Sequence, residues 1–250
     1  MRFYVFQVGQ VRFPDRSILV GGPNEGKEIV IPVPAYLIVH EKGLAVVDTG
    51  INLDNLPPKN REDCEMKPEE RIDRQLIALG HKPDEVKYVI MSHLHGDHAG
   101  WMTLFPHATF IVRKAELRAA WWPEAFQWSY NLGDYLDTRN YRFMQLDEVE
   151  DFDVFLDGSV VCVDTKGHCQ GHQSIIVNLS KTGRVVIAGD AVPMRETIDE
   201  GTVPGVSWNN EAALRAVARI QHLKREGAFV LLGHDPDQFR TLRLAPDYYE

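Results

Sequence analysis

Apolar and polar positions alternate with two different periods along the chain. Runs at strand spacing cover 3–8, 35–40 and 44–49, the last two joined by Glu41-Lys42-Gly43, a hairpin turn with glycine where a positive φ is useful. Residues 9–34 are rich in Gly and Pro and read as loop, and periodicity is lost again between Ile51 and Lys67. A helix is predicted to begin at Pro68-Glu69-Glu70, with Ile72, Leu76 and Leu79 on its apolar face and Gly80 as its stop. Further strands are predicted at 86–91, 108–112, 160–164, 174–179, 184–189 and 228–232. Helices are predicted at 114–122 and 211–224, the second with Leu214, Val217, Ala218 and Leu223 apolar. Strand groups separated by helices, twice over, predict two sheets packed between outer helices.

Composition narrows the class. The 250 residues contain no Pro/Gly/Ser-rich linker, low-complexity run or repeat of fixed period, so one domain over 1–250 is expected. A net charge of −9 disfavours a nucleic-acid partner, and the cluster Arg215, Arg219, Lys224 and Arg225 reads as a solvated helix face. Cys64, Cys162 and Cys169 form no C-x-x-C pair, so no disulfide framework is expected. The first residues lack a signal-type apolar region and no stretch approaches a membrane span, which points to a cytoplasmic protein with no membrane partner. Trp121, Trp122, Phe126, Trp128, Tyr130 and Tyr135 crowd one segment; packing under a long excursion is the commoner role for such a stretch, and the wall of an apolar pocket is the alternative.

The densest chemistry is His93-Leu94-His95-Gly96-Asp97-His98, which places four potential metal ligands in six residues directly after a predicted strand. A strand would split these side chains between two faces and a helix would fan them out, so only an irregular turn can aim all four at neighbouring ions. Two ions that share a bridge need further ligands and open positions for water and substrate. His168, Asp190 and His234 each stand just after a strand or in its exit loop, and each follows a glycine. His172, four residues beyond His168, reads as a packing or hydrogen-bonding neighbour, and His40, His81, His107 and His222 receive structural readings.

In the order His-x-His-x-Asp-His, Gly-His, Asp and His, these positions resemble the metallo-β-lactamase superfamily over nearly the whole chain. The resemblance implies a four-layer αββα sandwich. It implies that His93, His95 and His168 hold one metal, that Asp97, His98 and His234 hold the other, and that Asp190 bridges them, with Asp97 and Asp190 the catalytic carboxylates. The implied cofactors are two divalent ions, zinc first, with Fe, Mn or Co also suited to such ligands. Asp48, in Asp48-Thr49-Gly50, matches an early motif of the superfamily and would orient a ligand from behind, with His172 as a second supporting residue.

Within that superfamily the chain resembles the N-acyl-homoserine lactonase group, through its length, the segment from Gly167 to Ser174 and the ending Gly233-His234-Asp235. Opening of a lactone ring by a hydroxide shared between the metals is the implied reaction, with Asp97 passing a proton to the leaving alkoxide. The implied partner is a small-molecule lactone or ester. Met66, Trp101, Trp121, Trp122 and Phe126 are expected to line a groove for the acyl tail. Two positions depart from the group: Pro193 stands where a tyrosine is common, and Gly96 where an aromatic often follows the second histidine. Other lactonases or esterases, and a thioester hydrolase like glyoxalase II, remain alternatives, although the second would want a basic patch. A diiron oxidoreductase, a nuclease and a structural zinc protein fit the residues less well. Exposed apolar loop residues before Lys67 leave a homodimer open.

Overall fold

The computed structural model describes residues 1–21, 26–147 and 150–250. Twelve strands are found there: β1 (Arg2–Phe13), β2 (Ile29–His40), β3 (Gly43–Val47), β4 (Cys64–Glu65), β5 (Val86–Ile90), β6 (Thr109–Arg113), β7 (Arg142–Leu146), β8 (Phe152–Asp153), β9 (Val160–Asp164), β10 (Gln173–Leu179), β11 (Gly183–Ile187) and β12 (Phe229–Leu231). The α-helices are α1 (Pro58–Arg61), α2 (Ile72–Ala78), α3 (Gly96–Ala99), α4 (Lys114–Trp121), α5 (Arg195–Glu200), α6 (Asn210–Arg225) and α7 (Pro236–Phe239).

The strands form a seven-stranded sheet in the order β4-β1-β2-β3-β5-β6-β7 and a five-stranded sheet in the order β12-β11-β10-β9-β8. Most central strands are buried on both faces, so alternate residues feed different layers. Phe3, Val5, Ile38, Val47, Ile90 and Ile111 point inward and meet Cys162, Ile175, Val177, Val185, Ile187 and Leu231 of the other sheet. Their neighbours Tyr4, Phe6, Leu37, Val46, Val89 and Phe110 point outward onto Ile72 and Leu76 of α2 and Ala120 of α4. On the far side, Val186, Ala188 and Val230 pack under Val217, Ile220 and Leu223 of α6. The layers are therefore helix, sheet, sheet, helix, as expected for an αββα sandwich. No helix among the described residues is long and apolar enough to cross a membrane.

Two expectations need correction. The stretch 9–34 is not all loop, because β1 continues to Phe13 and β2 starts at Ile29, while residues 22–25 lie outside the described residues. Gly9 does not end β1. It sits at φ 126° where the register between β1 and β2 shifts, a bulge that lets the strand continue. Pro32 and Pro34 are tolerated in β2 because this portion pairs with β1 alone; β3 joins only from Tyr36 onward. On α6, Leu214 is 46% exposed and Ala218 also faces outward, whereas Ala212, Ala213, Ala216 and Ile220 turn to the core together with Val217 and Leu223. Small alanines let this helix lie close to the sheet, so bulk alone misidentified its inner face.

Candidate metal centre

All four clusters of expected ligands leave strands at one end of the sandwich. His93 to His98 follow β5, His168 lies between β9 and β10, Asp190 follows β11 and His234 follows β12. Gln173 ties the two sheets together beneath this end, its side-chain amide donating to the carbonyls of Met91 and Ile111 at 2.8 and 3.3 Å.

The seven side chains converge. His95 Nδ1 lies 3.0 Å from His93 Nε2 and 3.0 Å from His168 Nε2. In a second group, Asp97 Oδ2 lies 3.6 Å from His98 Nε2 and 3.6 Å from His234 Nε2. Asp190 stands between them. Its Oδ2 is 3.3 Å from His168 Nε2 and 4.0 Å from His93 Nε2, while its Oδ1 is 3.0 Å from His234 Nε2 and 3.3 Å from His98 Nε2. One carboxylate oxygen thus faces each histidine group.

For four of the five histidines the far nitrogen settles which lone pair faces inward. His168 Nδ1 donates to the Val206 carbonyl and His234 Nδ1 to the Pro32 carbonyl, both at 2.9 Å. His98 Nδ1 donates to Asp48 Oδ2 at 2.8 Å. The Ser92 hydroxyl donates to the same Asp48 oxygen at 2.6 Å, which leaves its oxygen to accept from His93 Nδ1 at 3.1 Å. Asp48 therefore braces His98 directly and His93 through Ser92. It does so from φ 55°, a left-handed conformation that a non-glycine residue holds only when its surroundings dictate it. His172 is fixed by a relay: its Nδ1 contacts Thr165 Oγ1 at 2.9 Å, Thr165 contacts Ser174 Oγ at 2.8 Å, and Ser174 donates to the Ala188 carbonyl at 2.9 Å. Only one direction of donation satisfies all three contacts, and it makes His172 a donor at Nδ1.

Charge in the site is divided unevenly. Burial, then the neighbouring rings His98 and His95, pushes His93 well below the ordinary imidazole range. Burial and His168 do the same to His95. Burial would also lower His98, but Asp97, Asp48 and Asp190 outweigh it and lift that ring well above the usual value. Burial alone would raise Asp190, yet His234, His168 and His98 hold it well below the usual carboxylate range. His98 Nε2 and Asp190 Oδ1 are buried and make no hydrogen bond of sound geometry. Bare buried polar atoms are costly. Ring nitrogens and carboxylate oxygens all within 4.8 Å of one another in each group form the donor set of a divalent metal, and the residues fit such ions.

Beside the cluster opens a cavity of about 330 Å³, with His95, Asp97, His168, Asp190 and His234 in its floor. Its walls are Val11, Phe13, Ile18, Leu19, Leu56 and Trp128, with Tyr130 near the metal-ligand loop. None of the five expected pocket residues lines it. Trp101 is anchored by an indole bond to the Ile51 carbonyl, and Met66 packs into the adjoining core. Trp121 packs against Tyr135 around a separate surface groove, and Trp122 and Phe126 are exposed. The acyl-groove expectation fails for Met66 and Trp101 because they pack into the adjoining core, and for Trp121, Trp122 and Phe126 because only the later part of the aromatic stretch reaches the cavity. Gly96 has a local explanation: a side chain there would meet Asp134 Oδ2 at 3.3 Å and Asn131 Cβ at 3.7 Å. Pro193 contributes its carbonyl, which accepts from His234 N at 2.8 Å.

Trp128 and Tyr130, from the aromatic stretch whose alternative reading is a pocket wall, do line the cavity, whereas sequence reasoning missed Glu116 and Asp134. Glu116 carries the one legible signal, an acidic residue on the same helix side as the buried Ala119 and Ala120.

The metallo-β-lactamase superfamily model matches residues 29–234. N-acyl homoserine lactonase AttM of Azorhizobium caulinodans is 33% identical over 100% of this chain and 99% of its own length. N-acyl homoserine lactonase AiiA of Bacillus thuringiensis subsp. kurstaki is 31% identical over 94% of this chain and 93% of its own. An N-acyl homoserine lactone hydrolase solved with its product N-hexanoyl-L-homoserine at the catalytic metal center superposes with a TM-score of 0.87, at 28% identity over 99% of this chain and 98% of that one. Fold, ligand geometry and these likenesses agree: the chain belongs to the metallo-β-lactamase superfamily.

Proposed function

We propose that the protein is a metal-dependent hydrolase that opens the ring of N-acyl homoserine lactones. The observation that carries this reading is the shared carboxylate: Asp190 presents one oxygen to each of two histidine groups at the floor of an apolar cavity. The likeness to lactonases along the whole chain supports the substrate class. His93, His95 and His168 would hold one ion, Asp97, His98 and His234 the other, with Asp190 between them and zinc as the first candidate. Bound there, such ions would polarise the lactone carbonyl and lower the pKa of water toward neutrality.

The protein's own groups do the rest. The cavity volume falls in the range of small-molecule sites, and its apolar walls suit an acyl tail. Asp97 keeps 23% of its side chain exposed and faces the cavity, so its carboxylate is placed to accept the proton given up by the attacking water and pass it to the alkoxide released when the ester C–O bond breaks. Neither cysteine near the cavity competes as nucleophile, since burial pushes the Cys64 thiol, which lines it, up to about 12, and burial, then Glu116, pushes the Cys169 thiol well above its ordinary pKa. A thioester of an acidic peptide is disfavoured: Arg12 is the one cation among the lining residues described, and it faces Glu28 at 3.5 Å.

A pH-indicator assay over homoserine lactones, γ- and δ-lactones, aryl esters and S-lactoylglutathione tests the proposal. Fastest turnover is expected on acylated homoserine lactones. Turnover of the thioester alone would overturn it.

A further inference from the structure

The carboxyl of Glu116, on the first turn of α4, is fully buried and has no cationic partner among its hydrogen bonds. Its Oε1 accepts from the Leu94 backbone N–H and from the Tyr130 hydroxyl, both at 2.9 Å. Its Oε2 accepts from the Gly171 N–H at 3.0 Å. These donors are not scattered. Leu94 lies between His93 and His95, while Gly171 follows His168. Tyr130 sets its ring against His95 with centroids 4.7 Å apart, and the two residues form a backbone bridge. Gly171 permits the approach, since a Cβ there would fall 2.3 Å from the Glu116 nitrogen.

Both backbone donors lie on the segments that supply the first histidine group, and the Tyr130 hydroxyl comes from a residue whose ring packs on His95. The second group is held by other means: His98 by Asp48, and His234 by the Pro32 carbonyl. We propose that Glu116 is a positioning residue for one metal only, its carboxyl locking together the two loops that present His93, His95 and His168. The inference rests on the metal-centre reading above. Groups that orient ligands from behind typically control metal affinity by roughly 10- to 100-fold. Loosening the brace unties the loop of His93 and His95 from that of His168, leaving His93 only its bond to Ser92 and His168 only its bond to the Val206 carbonyl, while the Asp97, His98 and His234 group keeps its supports.

The test is metal retention rather than turnover. Wild type, Glu116→Gln and His234→Ala, each loaded with cobalt, are titrated with a chelator while bound metal and the visible d–d spectrum are followed. Glu116→Gln should release one ion at roughly 10- to 100-fold lower chelator concentration and keep the other within about two-fold of wild type. His234→Ala should release the opposite ion, so the two half-loaded spectra should differ and the double variant should hold neither ion in that window. Equal weakening of both ions, unchanged retention, or a double variant that still keeps one ion would overturn the proposal. A wild type that binds no metal would instead sink the metal-centre reading itself. Should Glu116→Gln fail to fold by circular dichroism, Tyr130→Phe removes a single donor to the same carboxyl; it should weaken the same ion several-fold, and no change would count against the brace.

Discussion

At the scale of single residues, an aromatic side chain and a buried acid lead to the sharpest expectations. Trp128 lines the cavity, whereas Trp122 is 87% exposed and lines a different groove. Trp128→Ala should therefore raise KM for a ten-carbon acyl lactone more than for a four-carbon one, by roughly 3- to 10-fold, because a long tail would leave more apolar surface in water once the indole is removed. Trp122→Ala should leave the chain-length preference unchanged, and steady-state kinetics on both lactones checks the pair. Asp134 is almost fully buried beneath Gly96, and burial lifts its carboxyl from 3.8 to about 7 against the opposing bonds from Asn55 and Asn131. Because the folded value is the higher one, the folded state holds a proton that the unfolded chain has lost over that interval. Stability from this group is complete below pH ~4 and is lost as pH rises through 7, by on the order of 4 kcal/mol. Asp134→Asn should remove that slope, gaining on wild type at pH 8 but not at pH 5 in urea melts of the metal-free protein. An equal difference at both pH values would mean that Asp134 titrates normally. Neither residue's role could be read from spacing, since each depends on how the segment after α4 folds back over the ligand loop.

At the scale of elements, the ligand loop works because it is clasped to the end of β3. The Thr49 N–H and hydroxyl both donate to the His98 carbonyl, at 2.7 and 2.9 Å, and Gly100 N–H donates to the Gly50 carbonyl at 2.8 Å. Gly100 closes this clasp at contact distance. A Cβ there would lie 2.3 Å from Asn52 N and 2.7 Å from the Gly50 carbonyl oxygen, both rigid backbone. Gly100→Ala should cost about 1–3 kcal/mol through overpacking, read as a lower urea midpoint at unchanged slope. An undiminished midpoint would show that α3 can shift without loss. The motif from His93 to His98 was legible as a ligand loop, and Asp48-Thr49-Gly50 as its support, because both are short and local. Pairing of β1 with β2 across the bulge at Gly9 was not, because glycine and proline signal a turn locally whether or not a neighbouring strand later absorbs them.

At the scale of the whole molecule, the metal centre is also a fastener. Its candidate ligands leave β5 in one sheet and β11 and β12 in the other, so bound ions would cross-link two layers otherwise joined by apolar packing and the Gln173 hydrogen bonds. An ion held at about 1,000 times its Kd adds roughly 4 kcal/mol to folding, and a chain of this size shifts by roughly 2–4 °C per kcal/mol. Stripping the metals with a chelator should therefore lower Tm by roughly 10 °C or more, with recovery on adding zinc back; an unchanged melt would separate the site from stability. The sequence by itself determined the seven candidate ligands, the family resemblance and the layered class, because ligand spacing and strand periodicity are local properties that survive any detail of packing. Only the tertiary structure decided the cavity wall, the inner face of α6 and the hub at Glu116. Those depend on which distant segments meet: Glu116 bonds to residues 22 positions before it and 55 after it, a separation that no local pattern records.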